Sequence, residues 1–255
     1  MSVPLPGRAA SADERCSSLL AHVTDRVEQV LASVARVGVA TASIGMAARV
    51  AARPLCRDDL VALRPLVAGV LGRHAGLVAG AGVVLAPDAL ADAPRCIEWW
   101  WADQGSGIEQ LQVDLDPESA EFYDYTTTEW YQSPERTGRP SVVGPYVDYI
   151  CTRQYTFTLS VPIAIAGRFA GVAGADILAG QVEQLVRPGL SRLGRVAVLT
   201  SGNGRVIASN TASIPPGVAV SRQQLCSELM PVAGPGSPGG AVQGSTLPWT
   251  LLSRP

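Results

Sequence analysis

The chain opens on a helical period. Leu19, Leu20, Val23, Val27, Val30, Leu31, Val34 and Val37 recur at spacings of three and four, which draws one apolar stripe along a long helix. Ser11 and Glu14, a hydroxyl followed three residues later by a carboxylate, mark its start as a capping box. The stripe continues, richer in alanine, to about Ala52, and Pro54 closes it. A second helix is expected from Asp58, using Leu60, Leu63, Val67, Val70 and Leu71, with Pro65 as a kink. From Gly76 the texture changes to short runs. Residues 77–85 are apolar and glycine-dotted, 97–102 carry three consecutive tryptophans, and 109–115 alternate apolar with polar. Asp116 followed by Pro117 is a cap with proline in the first turn, which predicts a short helix through about Asp124.

The second half is clearer. Residues 155–161 alternate strictly, with apolar side chains on one face and hydroxyls on the other. Ala166-Gly167 turns that strand into 169–177, and 178–186 is helix-like until Pro188-Gly189. Residues 196–200 and 205–209 flank Ser201-Gly-Asn-Gly204, which has hairpin turn chemistry rather than that of a phosphate loop. A Pro/Gly-rich loop is expected over 231–240, and 249–253 returns as a last strand. The pattern predicts an α+β fold, a mostly antiparallel sheet with helices to one side.

Composition narrows the chemistry. All 20 residues counted as Lys or Arg are arginine, so a Schiff-base lysine and a Walker loop are both excluded. His22 and His74 are the two histidines; neither sits in a metal or triad pattern, and structural or surface roles are expected of both. Cys16, Cys56, Cys96, Cys151 and Cys226 are scattered and form no CxxC, so free thiols, a reducing compartment and no metal site are expected. A net charge of −2 argues against nucleic acid as a partner. The apolar run 37–48, bracketed by Arg36 and Arg49, falls short of the roughly 20 residues a membrane span needs. A soluble, cytoplasmic chain without a membrane partner is therefore expected.

Aromatic residues are unevenly placed. All six tyrosines lie between 123 and 155, and four of the five tryptophans between 99 and 130. An aromatic core over a sheet is one explanation. Their interleaving with polar groups (Tyr123-Asp-Tyr125, Glu129-Trp-Tyr131, Tyr146-Val-Asp148) favours a small-molecule pocket. Alternation also sends Trp100 to the face opposite Trp99 and Trp101.

The runs 122–125, Glu129-Trp-Tyr131, 138–140, 144–148 and Gly171-Val-Ala-Gly-Ala-Asp176 resemble the double Cache family of PAS-like ligand-binding sensor domains. The resemblance implies a long N-terminal helix (1–56) beside a PAS-like, mostly antiparallel sheet (57–190). A smaller, truncated second α/β unit follows over 191–255. It also implies a ligand site at Tyr123, Trp130, Tyr131, Tyr146 and Asp176, with Thr128 beside them, no catalytic residue and no cofactor; Glu129 and Asp148, acidic residues interleaved with the aromatics, are second choices for ligand contact. In the amino-acid-binding branch an arginine clamps the ligand carboxylate two residues before the tryptophan; here that position is Thr128. Aromatic walls plus an aspartate without that clamp suit an amine or quaternary ammonium ion. Arg136, Arg139 or Arg153 supplying the clamp would restore an amino-acid ligand. Enzymatic use of Glu129, Asp148 and Asp176 is the alternative from another class. Asp176 as a simple N-cap of helix 178–186 is the structural alternative. Output through a partner protein, and a homodimer along the N-terminal helix, complete the expectation.

Overall fold

The computed structural model describes residues 11–103, 107–150, 153–220, 229–232 and 247–254. The chain packs as two compact units, Arg26–Val182 and the combination of Met1–Asp25 with Glu183–Pro255.

Helix α1 (Ala12–Val50) forms where the stripe placed it. Leu20, Val23, Val27, Val30, Leu31, Val34 and Val37 are buried within the chain. The capping box closes as expected: the Ser11 amide donates to Glu14 Oε2 at 2.5 Å, and the Glu14 amide to Ser11 Oγ at 3.1 Å. By length and composition α1 is apolar enough to cross a membrane, contrary to the short run expected, and 44% of its most apolar 18-residue window is buried in protein. His74 is buried and its Nε2 lies 2.8 Å from Ser33 Oγ on α1, a structural role, while His22 is exposed. Cys16, Cys56 and Cys96 are free thiols; Cys151 and Cys226 lie outside the described residues.

After a 3-10 turn (Arg57–Leu63), α2 (Arg64–Arg73) carries Pro65 in its first turn, where the missing amide costs nothing, so no kink forms. Six strands follow: β1 (Val78–Leu85), β2 (Cys96–Asp103), β3 (Gly107–Gln110), β4 (Ser141–Val147), β5 (Tyr155–Ile165) and β6 (Arg168–Leu178). They form one antiparallel sheet in the order β3-β2-β1-β6-β5-β4. The expected strand 109–115 is shorter and shifted, ending at Gln110. The helix expected over 116–124 does not form. Its cap-like side chains close local turns instead, Asp114 accepting from the Asp116 amide and Asp116 from the Glu118 amide, both at 3.0 Å. Ala166 and Gly167, both at positive φ (51° and 75°), make the tight β5–β6 turn.

Strand pairing sorts the side chains. Thr158 pairs with Asp176, Asp176 with Gly80, and Gly82 with both Gly174 and Trp99, so these residues share one face. Phe157, Leu159, Ala173 and Ala175 take the other, where Ala173 and Ile163 approach Gly38 of α1. Helix α3 (Glu129–Thr137) carries the buried Trp130, Tyr131 and Pro134. Together with a 3-10 turn (Tyr125–Thr127), it covers the Asp176 face.

In the other unit, α4 (Ala179–Ser191) passes through Pro188 rather than stopping there, because Val182, Val186 and Leu190 form a buried stripe along it. Strands β7 (Ala197–Thr200), β8 (Val206–Ser209), β9 (Met230–Pro231) and β10 (Thr250–Ser253) make a small sheet in the order β8-β7-β10-β9. Asn210 fastens its start, accepting from the Ala197 amide at 2.8 Å and donating to the Leu190 and Arg195 carbonyls. Of the expected loop 231–240, residues 233–240 lie outside the described residues.

Trp99 depends on the glycines around it. A Cβ at Gly80 would stand 2.6 Å from Trp99 Nε1, and one at Gly174 would stand 3.0 Å from its Cη2. The indole therefore lies across β1 onto β6 only because both positions lack a side chain. Gly80→Val is expected to cost about 1–3 kcal/mol through overpacking, read as a lower urea midpoint. An unchanged midpoint would contradict this packing.

Candidate functional site

The shared face closes over a small cavity of about 40 Å³. Its lining is Val84, Ile97, Trp99, Leu111, Tyr123, Trp130, Tyr146, Asp148, Ile150, Thr158 and Asp176. Sheet pairing places Asp176 beside Thr158, whose hydroxyl donates to Asp176 Oδ1 at 2.6 Å. Tyr146 Oη lies 2.5 Å from Thr158 Oγ1. The Thr158 proton points to the carboxylate, so Tyr146 is the donor in that pair and a relay Tyr146–Thr158–Asp176 results. Asp176 Oδ2 accepts no hydrogen bond from the described residues and borders the cavity.

Five sequence-predicted residues meet here: Tyr123, Trp130, Tyr146, Asp148 and Asp176. Three do not. Thr128 donates to the Tyr125 carbonyl at 2.7 Å in the step from the 3-10 turn into α3. Glu129 is exposed and pairs with Arg136 at 3.0 Å. Tyr131 is fully buried and packs edge-to-face on Tyr125, Trp130 and Phe169, away from the cavity. The aromatic cluster is thus both core and pocket: Tyr125 and Tyr131 carry the packing, while Trp99, Tyr123, Trp130 and Tyr146 wall the space. Trp99 and Thr158 were not among the predicted site residues. The strict alternation of β5 was the signal for Thr158, since it turns the hydroxyls toward whatever occupies that face.

Asp176 is no helix cap. It lies within β6, two residues before its end, and only 7% exposed. Burial pushes its carboxyl up to about 7; the Thr158 hydroxyl pulls the other way, and the charge of Asp148 adds to the rise. Burial likewise raises the Tyr146 hydroxyl far above its ordinary range, with Asp176 adding to the effect, so it serves only as a neutral donor. Asp148 is also buried and accepts from the Ile150 amide at 3.0 Å. The site therefore concentrates two carboxylates among aromatic rings, with no cationic side chain among the described residues of its lining. Among the described residues no group of three or more His, Cys, Asp or Glu is arranged to hold a metal.

A helix-backed antiparallel sheet whose covered face holds a partly polar cavity is a setting for a small-molecule binding site. Residues 70–184, a little under half of the chain, match the family described as methyl-accepting chemotaxis protein-like, first PDC sensor domain, in keeping with the Cache (PDC)-like fold. The chain is 31% identical over 100 residues to methyl-accepting chemotaxis protein TlpQ of Pseudomonas aeruginosa PAO1, covering 34% of this chain and 14% of TlpQ. Among solved structures it is similar to methyl-accepting chemotaxis protein X, with TM-score 0.58, 16% identity, and 94% and 96% of the two chains covered. It is also similar to the ligand-binding domain of the Pseudomonas aeruginosa PAO1 amino-acid chemoreceptor PctC in complex with GABA (TM-score 0.53, 17% identity, 95% and 97% covered). The PctB domain in complex with L-Arg aligns at TM-score 0.54 and 16% identity, over 91% and 88% of the chains. At these identities the structures establish the shared fold.

The raised Asp176 group has a consequence for stability. Its folded-state value lies above the unfolded one, so the carboxyl favours folding at low pH and loses that contribution as pH rises through about 7. Asp176→Asn is expected to raise Tm at pH 8 by more than at pH 5. An equal or opposite effect at the two pH values would contradict a buried, elevated carboxyl.

Proposed function

We propose that this chain is the sensing part of a chemoreceptor-like protein and that its cavity binds a small organic cation, a short primary amine before a quaternary ammonium ion. One observation carries the reading: two buried carboxylates and four aromatic side chains line the cavity, and among the described residues no arginine or histidine does. An ammonium group over an aromatic face gains roughly 0.5–2 kcal/mol, and an N–H donor to Asp176 Oδ2 adds a charge-assisted hydrogen bond. A quaternary ion has no such donor. The size of the cavity points the same way, since about 40 Å³ holds only a few waters' worth of ligand.

An amino-acid ligand would need a clamp for its carboxylate. Arg136 is engaged with Glu129 at the surface, Arg139 and Arg153 are exposed, and none of the three lines the cavity. The enzymatic alternative loses its third carboxylate, because Glu129 lies on the outer side of α3. Signalling to a downstream partner and a cytoplasmic location belong to the same proposal.

Calorimetry of the whole chain with methylamine, ethanolamine, tetramethylammonium, GABA and L-Arg tests it. The primary amines are expected to bind, and Asp176→Asn to weaken them at least about thirtyfold, in line with loss of a buried ionic partner. Binding requires the ionised carboxyl, so affinity should fall toward about tenfold per pH unit below about 7 and level off above it. Binding of GABA or L-Arg alone, or amine binding that survives Asp176→Asn, would overturn the proposal.

A further inference from the structure

A larger cleft, of about 570 Å³, lies on the opposite face of the six-stranded sheet, at its β3 edge. That volume is in the range of small-molecule sites. The pairing of Val83 with Glu98, Ala81 with Trp100, and Trp100 with Gln110 turns Glu98, Trp100 and Gln110 to this face, away from Asp176. Ile97 and Leu111 line both spaces and form the wall between them.

The floor holds an incompletely answered acid. Glu98 is 7% exposed, and Gln110 Nε2 donates to its Oε2 at 2.7 Å. Its Oε1 accepts no hydrogen bond from the described residues. Burial raises the Glu98 carboxyl above its ordinary value, with Arg57 partly offsetting the rise. A buried carboxyl with a vacant acceptor calls for a donor. At the mouth stand three arginines and Asp58. Arg95 is engaged, paired with Asp124 at 3.0 Å and lying over the Phe122 and Tyr125 rings. The guanidinium groups of Arg57 and Arg64 are exposed and make no hydrogen bond or ion pair among the described residues. Two open guanidinium forks beside one cleft are suited to an anionic oxygen group. A plain anion would be repelled by Glu98; one that also brings a hydroxyl or amino donor satisfies both ends.

We infer that this cleft is a second ligand site, taking a small carboxylate-bearing molecule whose acid group lies on Arg57 and Arg64 and whose hydroxyl or amino group donates to Glu98. The amine cavity and this cleft then recognise opposite chemistries on the two faces of one sheet.

Calorimetry of the whole chain with two matched pairs, L-malate against succinate and L-lactate against propionate, isolates the donor. At least one hydroxy acid is expected to bind saturably, ten times or more tighter than its partner lacking the hydroxyl. Arg57→Gln combined with Arg64→Gln, both at exposed positions, should weaken that binding at least tenfold. Asp176→Asn should leave it unchanged, which separates this site from the amine cavity. The inference is overturned if neither hydroxy acid binds, if binding survives the double arginine variant, or if inorganic phosphate, succinate or propionate binds as well as the hydroxy acids.

Discussion

Asp176 stands on β6, inside the sheet, with Thr158 donating to it from the neighbouring strand and aromatic rings closing over it. Among the described residues no arginine or histidine answers its charge within the cavity. Much of the unit follows from keeping that carboxyl in place. The register that pairs Thr158 with Asp176 also sets Gly80 opposite Asp176 and brings Gly174 and Gly82 into line with Trp99. A slip of β6 by one residue would turn Asp176 toward α1 and away from the Thr158 hydroxyl. The glycine positions admit the Trp99 indole flat against the sheet, and the indole in turn forms one wall of the space beside the carboxyl.

The same arrangement gives the site its bias. Desolvation holds the Asp176 carboxyl near neutral pH, and the charge of Asp148 works in the same direction. A cation entering between the rings would relieve both effects at once. Ligand energy of this kind can shift a conformational equilibrium only as far as it differs between the two states. Relief of a buried, repelled carboxylate is such a difference. The hydroxyl relay from Tyr146 through Thr158 ties strand β4 to that carboxyl.

Legibility in the sequence followed the length and regularity of each segment. The α1 stripe and the alternation of β5 were plain because many residues repeat one period, and the Ala166-Gly167 turn follows from its chemistry. Helix α3 was not visible: nine residues with Pro134 inside offer too little period, and their apolar members are the adjacent pair Trp130 and Tyr131. Strand β4 was hidden by Gly144-Pro145 in its middle, where a turn is the ordinary reading. Residues 116–124 carried cap signals without an apolar stripe to bury, and the caps served turns instead. For the site, family resemblance located Asp176 and three of the rings, and the interleaving of acidic with aromatic residues pointed to Asp148. The resemblance placed Tyr131 in the pocket although the fold uses that ring for packing, because position along the chain does not tell which side of a short helix faces the sheet. The larger cleft on the far face had no signal in the sequence beyond the alternation of β2, which separates Glu98 and Trp100 from Trp99.

The central claim is that an elevated, cation-seeking carboxyl sits at the heart of the cavity. Carbon-13 NMR of the Asp176 side-chain carboxyl, titrated against pH with and without saturating methylamine, tests it most directly. The free protein should show a midpoint near 7 for that carbon, and methylamine should move it down toward the ordinary aspartate range. A midpoint near 4 in the free protein, or one that methylamine leaves in place, would contradict the account.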